Sequence, residues 1–295
     1  MLGTRFEGVM TALITPFRDG AVDEDALRGL VERQIEAGVD GLVPCGSTGE
    51  SATLSHDEHN RVVEITIEAT AGRVPVVAGT GSNSTAEAIS LTQHAKDAGA
   101  SGALLLSPYY NKPTQEGIYE HYKAVAEETA LPLVIYNIPG RTASNIAPET
   151  VGRLAKLQHI VGIKEASGDL DQMSHVVAAS PDDFAVLSGD DSLTLPLMSV
   201  GGKGVISTSS NVAPAQMKEL VRRFDTGDAA GARRLHHELI PLFDALFCET
   251  NPIPVKAACA ALDWCEGEIR LPMTPITEPN LERLKVVLKD LGILQ

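Results

Sequence analysis

The chain has 295 residues, of which 43% are hydrophobic and 21% charged, a composition that excludes a largely disordered chain. Its 24 Lys and Arg residues against 39 Asp and Glu residues give a net charge of −15, which disfavours nucleic acid and anionic membranes as partners. No apolar run approaches the roughly 20 residues of a membrane span, and the first ten residues lack the regions of a signal peptide. We therefore expect a cytoplasmic protein.

Eight short, largely apolar runs alternate with amphipathic stretches along the chain. The runs predict parallel strands covered on both faces, at 9–17, 41–46, 74–79, 103–108, 131–137, 160–165, 184–189 and 204–207. Helical spacing of apolar residues predicts helices at 23–37, 57–71, 85–98, 116–129, 148–157, 169–179, 192–200 and 214–224. A capping box at 55–58 predicts where the second helix begins.

Eight strand–helix units in series predict a (β/α)8 TIM barrel, an α/β fold. A doubly wound sheet usually has fewer strands and would need a glycine-rich segment after the first strand, where Thr-Pro-Phe stands at 15–17. Further helices are predicted at 228–246, 252–262 and 277–291. We predict a barrel over 1–225, with 226–295 as a C-terminal helical extension of the same domain.

The four cysteines have neither the spacing of a disulfide framework nor that of a zinc site. No two of them form a C-x-x-C pair, and the chain contains no H-E-x-x-H. We therefore predict reduced thiols and no bound metal.

Lys164 is the strongest candidate for a chemical role, because it is a charged residue near the end of the apolar sixth strand. A lysine placed there either pairs with a carboxylate or loses its proton and becomes a nucleophile for carbonyl carbons. The alternative to a nucleophile is a buried ion pair, for which Glu165 is a candidate. Lys256, in the extension, is a less favoured nucleophile because it lies away from the strand ends.

Other polar residues follow the strands at the edge where barrel enzymes place their chemistry. Tyr136 ends the fifth strand and suits a proton shuttle, or is an aromatic with a satisfied hydroxyl. Arg141 suits a substrate carboxylate, or forms a surface ion pair. Ser47 and Thr48 suit a carboxylate or a proton relay, or cap their own turn.

Three motifs at the ends of the second, fifth and sixth strands together resemble the dihydrodipicolinate synthase / N-acetylneuraminate lyase family of pyruvate-handling barrels. They are Gly-Ser-Thr-Gly-Glu at 46–50, Tyr-Asn-Ile-Pro-Gly-Arg-Thr at 136–142 and Gly-Ile-Lys-Glu at 162–165. The resemblance covers nearly the whole chain, from 11–17 to 251–256. Any one motif alone would be a weak signal.

Arg141 and the Pro-Tyr-Tyr-Asn-Lys-Pro segment at 108–113 resemble the synthase subgroup of that family. This implies a lyase that condenses pyruvate with L-aspartate 4-semialdehyde to 4-hydroxy-tetrahydrodipicolinate, the committed step of diaminopimelate and lysine biosynthesis. Ser47 departs from the threonine of many synthases and matches many neuraminate lyases. A pyruvate-releasing 2-keto-3-deoxy acid or N-acetylneuraminate aldolase therefore remains the alternative, and a non-catalytic carboxylate sensor is a third reading.

The resemblance also implies residue roles. Lys164 would form a Schiff base with pyruvate, with Tyr136, Ser47 and Tyr110 as the proton relay and Tyr110 supplied by the neighbouring subunit. Substrate-binding roles would fall to Thr48, Arg141, Gly189 and Ile206. No metal or organic cofactor is implied, since the amine itself provides the electron sink.

Regulation and assembly are implied in the same way. The family's lysine-inhibited members bind lysine at a dimer interface, and the matching positions here are Ser51, Ala52, His56, His59, Asn83, Glu87 and Tyr109. We hypothesise feedback inhibition by lysine. The resemblance further implies a homotetramer built as a dimer of dimers.

Overall fold

The computed structural model describes residues 6–295 and shows a ring of eight parallel strands surrounded by helices. The strands are β1 (Gly8–Ala12), β2 (Phe17–Arg18), β3 (Ala21–Val22), β4 (Gly41–Val43), β5 (Val77–Gly79), β6 (Gly102–Leu106), β7 (Leu133–Asn137), β8 (Ile160–Glu165), β9 (Ala185–Ser188) and β10 (Gly204–Ser207). The helices are α1 (Glu24–Glu36), α2 (His56–Thr70), α3 (Thr85–Ala98), α4 (Gln115–Thr129), α5 (Pro139–Thr142), α6 (Pro148–Leu154), α7 (Leu170–Ala179), α8 (Thr194–Ser199), α9 (Pro214–Asp225), α10 (Ala229–Leu246), α11 (Ile253–Ala261) and α12 (Glu278–Asp290).

The strand order confirms the predicted (β/α)8 barrel. The hydrogen-bonded ring runs β4-β1-β10-β9-β8-β7-β6-β5, and a parallel bridge between Leu42 and Val76 joins its two ends. Because the eight strands of the ring are parallel to one another, all eight carboxyl ends lie at one rim of the barrel. The side chains that follow the strands therefore collect at that rim.

The barrel has an inner core and separate outer cores because successive strand residues point to opposite faces. The inner face is filled by apolar side chains, among them Met10, Val134, Leu187 and Ile206. Outward-facing residues of the same strands pack against the helices, as Ile135 and Ile163 do. Both faces of each strand are thus buried, which explains why the strands are apolar throughout rather than alternating.

Several local signals in the sequence have the predicted structural effect. Ser55 and Glu58 form the capping box at the start of α2, each side chain bonding the other residue's backbone N–H. Gly99 ends α3 with a φ of 98°, a left-handed conformation that suits glycine.

Six of the eight strands of the ring are shorter than predicted, because the apolar runs continue into the loops at either end, whereas β8 and β10 have the predicted bounds. The first run, predicted over 9–17, leaves the sheet after Ala12, and Phe17–Arg18 instead pairs antiparallel with Ala21–Val22 in a hairpin that the sequence analysis did not predict. Prolines mark two of the other ends, since Pro44 follows β4 and Pro75 precedes β5, and proline has no N–H to donate to a strand ladder.

Among the C-terminal helices, α10 packs on α9, which itself contacts β1, and α11 and α12 pack on α10 and on each other. Their buried apolar residues form one continuous cluster with those of the barrel, including Val205, Leu220, Phe243, Val255 and Leu284. Within residues 6–295, none of the helices combines the length and apolar composition needed to cross a bilayer.

Candidate active site

Lys164 lies inside the barrel near the carboxyl end of β8. Its register partners in the two neighbouring strands, Tyr136 and Leu187, both belong to the inner core, so the lysine points to the interior. The side chain is buried, with the residue only 5% exposed, and its Nζ lies 4.5 Å from the centroid of the Tyr136 ring. The sequence prediction that these two residues are neighbours is confirmed.

Burial lowers the pKa of the Lys164 ammonium from 10.5 to about 8. Desolvation is the largest cause, because the charged form loses its hydration shell in the interior. The carboxylates of Asp190 and Asp191 oppose the shift, and the positive charge of Arg141 adds to it. About a tenth of the amine is therefore uncharged at pH 7, far more than for an ordinary lysine, and the uncharged state is the one that attacks carbonyl carbons.

The alternative of a Lys164–Glu165 ion pair is wrong. Because the two residues are consecutive in a strand, their side chains point to opposite faces. Glu165 accepts hydrogen bonds from the Asn137 amide at 3.0 Å and from the backbone N–H of Ser167 at 2.7 Å, on the helix side of the sheet. Lys164 is left facing the cavity.

Tyr136 is buried, and burial raises the pKa of its phenol well above the ordinary value. Arg141 and a hydrogen bond from the Ser47 hydroxyl oppose that shift, while Asp190 adds to it. The phenol is therefore protonated and able to donate as well as accept. Ser47, Tyr136 and Lys164 all line one small cavity at the rim.

Thr48 is held by a residue that the sequence analysis placed in a motif but gave no role. The Asn251 amide donates to Thr48 Oγ1 at 3.0 Å, and the backbone carbonyl of Asn251 accepts from Arg141 Nη2 at 2.9 Å. Since Thr48 Oγ1 already accepts, its own proton is free to be donated, and Thr208 Oγ1 lies 3.4 Å away. Asn251 thus links the two residues expected to bind carboxylates.

Gly189 follows β9 and faces Lys164. A Cβ atom at this position would lie 2.5 Å from the Cβ of Ala166 and 3.1 Å from Cε of Lys164. The first distance is shorter than carbon atoms tolerate. The absence of a side chain at Gly189 thus avoids an overlap with Ala166 and keeps Cε of Lys164 uncrowded.

A larger cavity of about 410 Å³ begins beside the same residues and extends to a second group of polar side chains. Tyr136, Ser47 and Arg141 line one end, and Ser51, Ala52, His56, His59, Glu87 and Tyr109 line the rest. Asn83 does not line it but donates to the backbone carbonyl of Tyr109 at 3.2 Å. Glu87 accepts from the Ser82 hydroxyl and lies 3.0 Å from His56 Nε2.

Tyr110, one of the predicted site residues, points away from Lys164 within this chain. Tyr110 is 88% exposed and has a φ of 72°, so its ring points into solvent and away from the cavity. The Ile206 side chain is buried in the inner core, and the contact predicted for this residue is through its backbone, which stays a prediction. Conversely, Asp190 and Phe247 line it although the sequence analysis assigned neither a role.

Lys256, the rival nucleophile, is buried in an ion pair with Glu50. A paired ammonium is a poor nucleophile, so this contact favours Lys164. Among residues 6–295, no group of three or more His, Cys, Asp or Glu side chains is arranged to hold a metal ion.

Comparisons with known proteins agree with this geometry. A family model described as the dihydrodipicolinate synthetase family matches residues 5–291. The 4-hydroxy-tetrahydrodipicolinate synthase of Syntrophus aciditrophicus is 59% identical, with 98% of this chain and 99% of that protein covered. The chloride-inhibited dihydrodipicolinate synthase of Acinetobacter baumannii, solved with pyruvate, is 46% identical with a TM-score of 0.95, covering 98% and 99% of the two chains. The enzyme from Cyanidioschyzon merolae, solved with lysine bound, is 43% identical with a TM-score of 0.96, covering 99% and 100%.

Proposed function

The chain belongs to the dihydrodipicolinate synthetase family, and from that premise we propose that it condenses pyruvate with L-aspartate 4-semialdehyde to 4-hydroxy-tetrahydrodipicolinate. The observation that carries the proposal is Lys164, buried at the strand ends with its pKa lowered to about 8. An amine with a lowered pKa, facing a cavity with Tyr136 and Arg141, suits the chemistry of a keto acid and a second carboxylate substrate.

In the first half of the reaction, the Lys164 amine attacks the ketone carbon of pyruvate. Loss of water gives a protonated Schiff base, and the positive nitrogen draws electrons from the adjacent methyl group, so that a methyl proton leaves and an enamine forms. Tyr136 accepts and returns protons in these steps, with the Ser47 hydroxyl as its next partner. The Thr48 hydroxyl, whose oxygen accepts from the Asn251 amide, donates its proton to the pyruvate carboxylate when Thr208 is the donor in the contact between the two threonines.

In the second half, the enamine carbon attacks the aldehyde carbon of aspartate semialdehyde, and a carbon–carbon bond forms. The amino group of the second substrate then attacks the imine carbon, closes the ring and releases the Lys164 amine. Arg141 binds the carboxylate of this substrate, with its guanidinium held by the Asn251 carbonyl. No metal or organic cofactor takes part in these steps.

The relay is incomplete within one chain, because Tyr110 points into solvent. We assign it to the active site of a neighbouring subunit, which makes a dimer the catalytic unit, with a tetramer as the complete assembly. The exposed ring of Tyr110, on a backbone in the left-handed conformation at the rim, suits insertion into a partner's site.

A coupled assay with pyruvate and aspartate semialdehyde tests this function. The protein should form product, and borohydride with pyruvate should leave a reduced adduct on Lys164 but not in Lys164→Ala. Arg141→Ala should still trap pyruvate but lose about a hundredfold in kcat/KM for the aldehyde, as expected when a bidentate carboxylate contact is removed. Release of pyruvate from N-acetylneuraminate or a 2-keto-3-deoxy acid, without synthase activity, would instead establish the aldolase alternative.

We also propose that free lysine inhibits the enzyme from the far end of the larger cavity. Glu87 provides a carboxylate for the ammonium group, and the backbone around Ser51 and Ala52 adjoins the loop that carries Ser47 and Thr48. Inhibition by millimolar lysine in the wild type, with a large loss of sensitivity in Glu87→Gln, is the expected result. Activity unaffected by lysine would contradict the proposal.

A further inference from the structure

A buried ion pair joins the catalytic loop to the C-terminal extension. Lys256 lies in α11, and Glu50 directly precedes the single-turn helix Ser51–Thr53. The lysine side chain is 1% exposed and the glutamate side chain 3% exposed. Lys256 Nζ also lies 4.1 Å from the centroid of the Phe17 ring. The mechanism proposed above uses neither residue.

Stability alone does not account for this pair. Removing two charges from water costs several kcal/mol, and apolar residues of similar size often serve a fold equally well at such positions. Glu50 also adopts a left-handed conformation with a φ of 54°, which is unfavourable for a residue with a side chain. Buried charges of this kind are instead suited to fixing one conformation among several.

The conformation that the pair fixes is that of the loop bearing both sets of functional residues. Ser47 and Thr48 precede Glu50, and Ser51 and Ala52 follow it. The second Glu50 oxygen accepts the backbone N–H of Arg270 at 3.2 Å, so the carboxylate is held from two sides. Movement of Glu50 would therefore displace the loop residues on both sides of it in the sequence.

The same C-terminal segment holds the loop at a second point. Asn251 donates to Thr48, and Lys256, five residues later, pairs with Glu50. On the opposite side, the Thr15 hydroxyl donates to the backbone carbonyl of Gly49 at 2.7 Å. The loop is thus fixed between the end of β1 and the segment 251–256.

We infer that Lys256 is a positioning residue for the reaction, which through Glu50 sets the Ser47–Thr48 hydroxyls for pyruvate and links them to the lysine-binding end of the cavity. This inference rests on the proposed function. It requires a cation at position 256, since Lys256 forms the close ion pair with the buried Glu50 carboxylate and the Arg270 guanidinium acts on that carboxylate only from a greater distance.

The test compares Lys256→Met, Glu50→Gln and Lys256→Arg with the wild type, and uses Lys285→Met as the control. Lys285 pairs with Glu282 on the exposed face of α12, so its replacement removes a cation without touching the loop. Each protein is assayed for kcat and KM with both substrates, for the rate of borohydride trapping with pyruvate, for lysine inhibition, and for thermal unfolding.

We expect Lys256→Met and Glu50→Gln to trap pyruvate on Lys164 about tenfold more slowly and to lose kcat/KM for pyruvate by a similar factor, as small displacements of catalytic groups do. Lysine inhibition should weaken in both. Lys256→Arg should recover most of the lost rate, and Lys285→Met should match the wild type.

The inference is overturned if Lys256→Met is folded, traps pyruvate at the wild-type rate and is inhibited by lysine as the wild type is. It is also overturned if the variants lose activity only in proportion to the fraction of unfolded protein. If Lys256→Met does not fold, Glu50→Gln decides, because it keeps the shape of the side chain. A wild-type protein that neither traps pyruvate nor forms product would contradict the proposed function instead.

Discussion

The Nζ of Lys164 lies 4.5 Å from the centroid of the Tyr136 ring, and the two residues are register partners in adjacent parallel strands. Register partners point to the same face of a sheet, so this relationship follows from the order of strands around the barrel. The aromatic face attracts a cation only weakly in comparison with a carboxylate. The lysine is therefore buried without a strong ionic partner, and desolvation controls its charge.

The pH dependence of adduct formation should show this control. Because only the uncharged amine reacts, we expect the rate of reductive trapping with pyruvate to rise about tenfold per pH unit below pH 8 and to level off above it. A midpoint near 10.5, the ordinary value for lysine, would contradict the burial argument. Cyanoborohydride trapping followed by mass spectrometry measures the rate.

Asp190→Asn should move that midpoint to lower pH. The Asp190 carboxylate stabilises the ammonium of Lys164, so removing its charge lowers the pKa of the amine further. Lys164 would then be uncharged over a wider pH range. An upward movement of the midpoint would show that Asp190 does not act on Lys164 as a negative charge.

Gly189→Ala should disable the site. The added methyl group would overlap Ala166 and crowd Cε of Lys164, so we expect kcat/KM for pyruvate to fall about tenfold or more. Gly29→Ala is the matched control, because a Cβ at that helical position meets no atom within 4 Å. Steady-state kinetics and circular dichroism of both variants test the prediction, which fails if Gly189→Ala keeps wild-type kinetics.

Mixing two inactive variants tests whether Tyr110 acts in a partner's site. Tyr110→Phe and Lys164→Ala should each have little activity alone. Random re-assortment into dimers makes half of them hybrids, each with one intact site, so about a quarter of wild-type activity should return. No recovery, with exchange verified by native mass spectrometry, would place Tyr110 outside the reaction.

His121 should make the protein less stable as the pH falls. It is buried between α3 and α4, its Nδ1 lies 3.0 Å from the Thr85 hydroxyl, and its Nε2 is buried without a partner. Burial lowers its pKa from 6.5 to about 4. The unfolded chain therefore binds a proton more readily, and the free energy of unfolding falls from about pH 6.5 downward until the folded histidine also titrates near pH 4.

The size of this effect is about 2 kcal/mol between pH 7.5 and pH 5, from the two pKa values. His121→Asn keeps an acceptor for Thr85 and cannot be protonated in this range. Urea unfolding at the two pH values should show that the free energy of unfolding decreases less in the variant than in the wild type, and that the two decreases differ by this amount. Equal decreases in both proteins would assign the acid sensitivity to other groups.

The barrel and the neighbourhood of Lys164 were predictable from the sequence because both depend on local patterns. Apolar runs mark strands buried on two faces, and strand order then places Tyr136 beside Lys164. The predicted strand ends were less accurate, since the first apolar run continues past Ala12 into a loop and hairpin.

The role of Asn251 was not predictable in this way. Its bond to Thr48 joins residues 203 positions apart, and the pair Lys256–Glu50 spans 206 positions. Such contacts depend on how the C-terminal helices dock on the barrel, which periodicity does not specify. The Asn-Pro-Ile-Pro-Val-Lys segment at 251–256 is part of the resemblance to the family, but its residue pattern does not show which atoms of the barrel it contacts.

The larger cavity runs without interruption from Tyr136 and Arg141 to His56 and Glu87. The small cavity that holds Lys164 shares Ser47, Tyr136 and Arg141 with this larger one, so we expect a single synthetic compound that spans both cavities to place a keto acid beside Lys164 and an ammonium group beside Glu87. Tethering the two groups raises the local concentration of each at its own subsite, so such a bivalent inhibitor should bind far more tightly than either fragment. The length of its linker has to match the stretch of the cavity that residues 47–53 line.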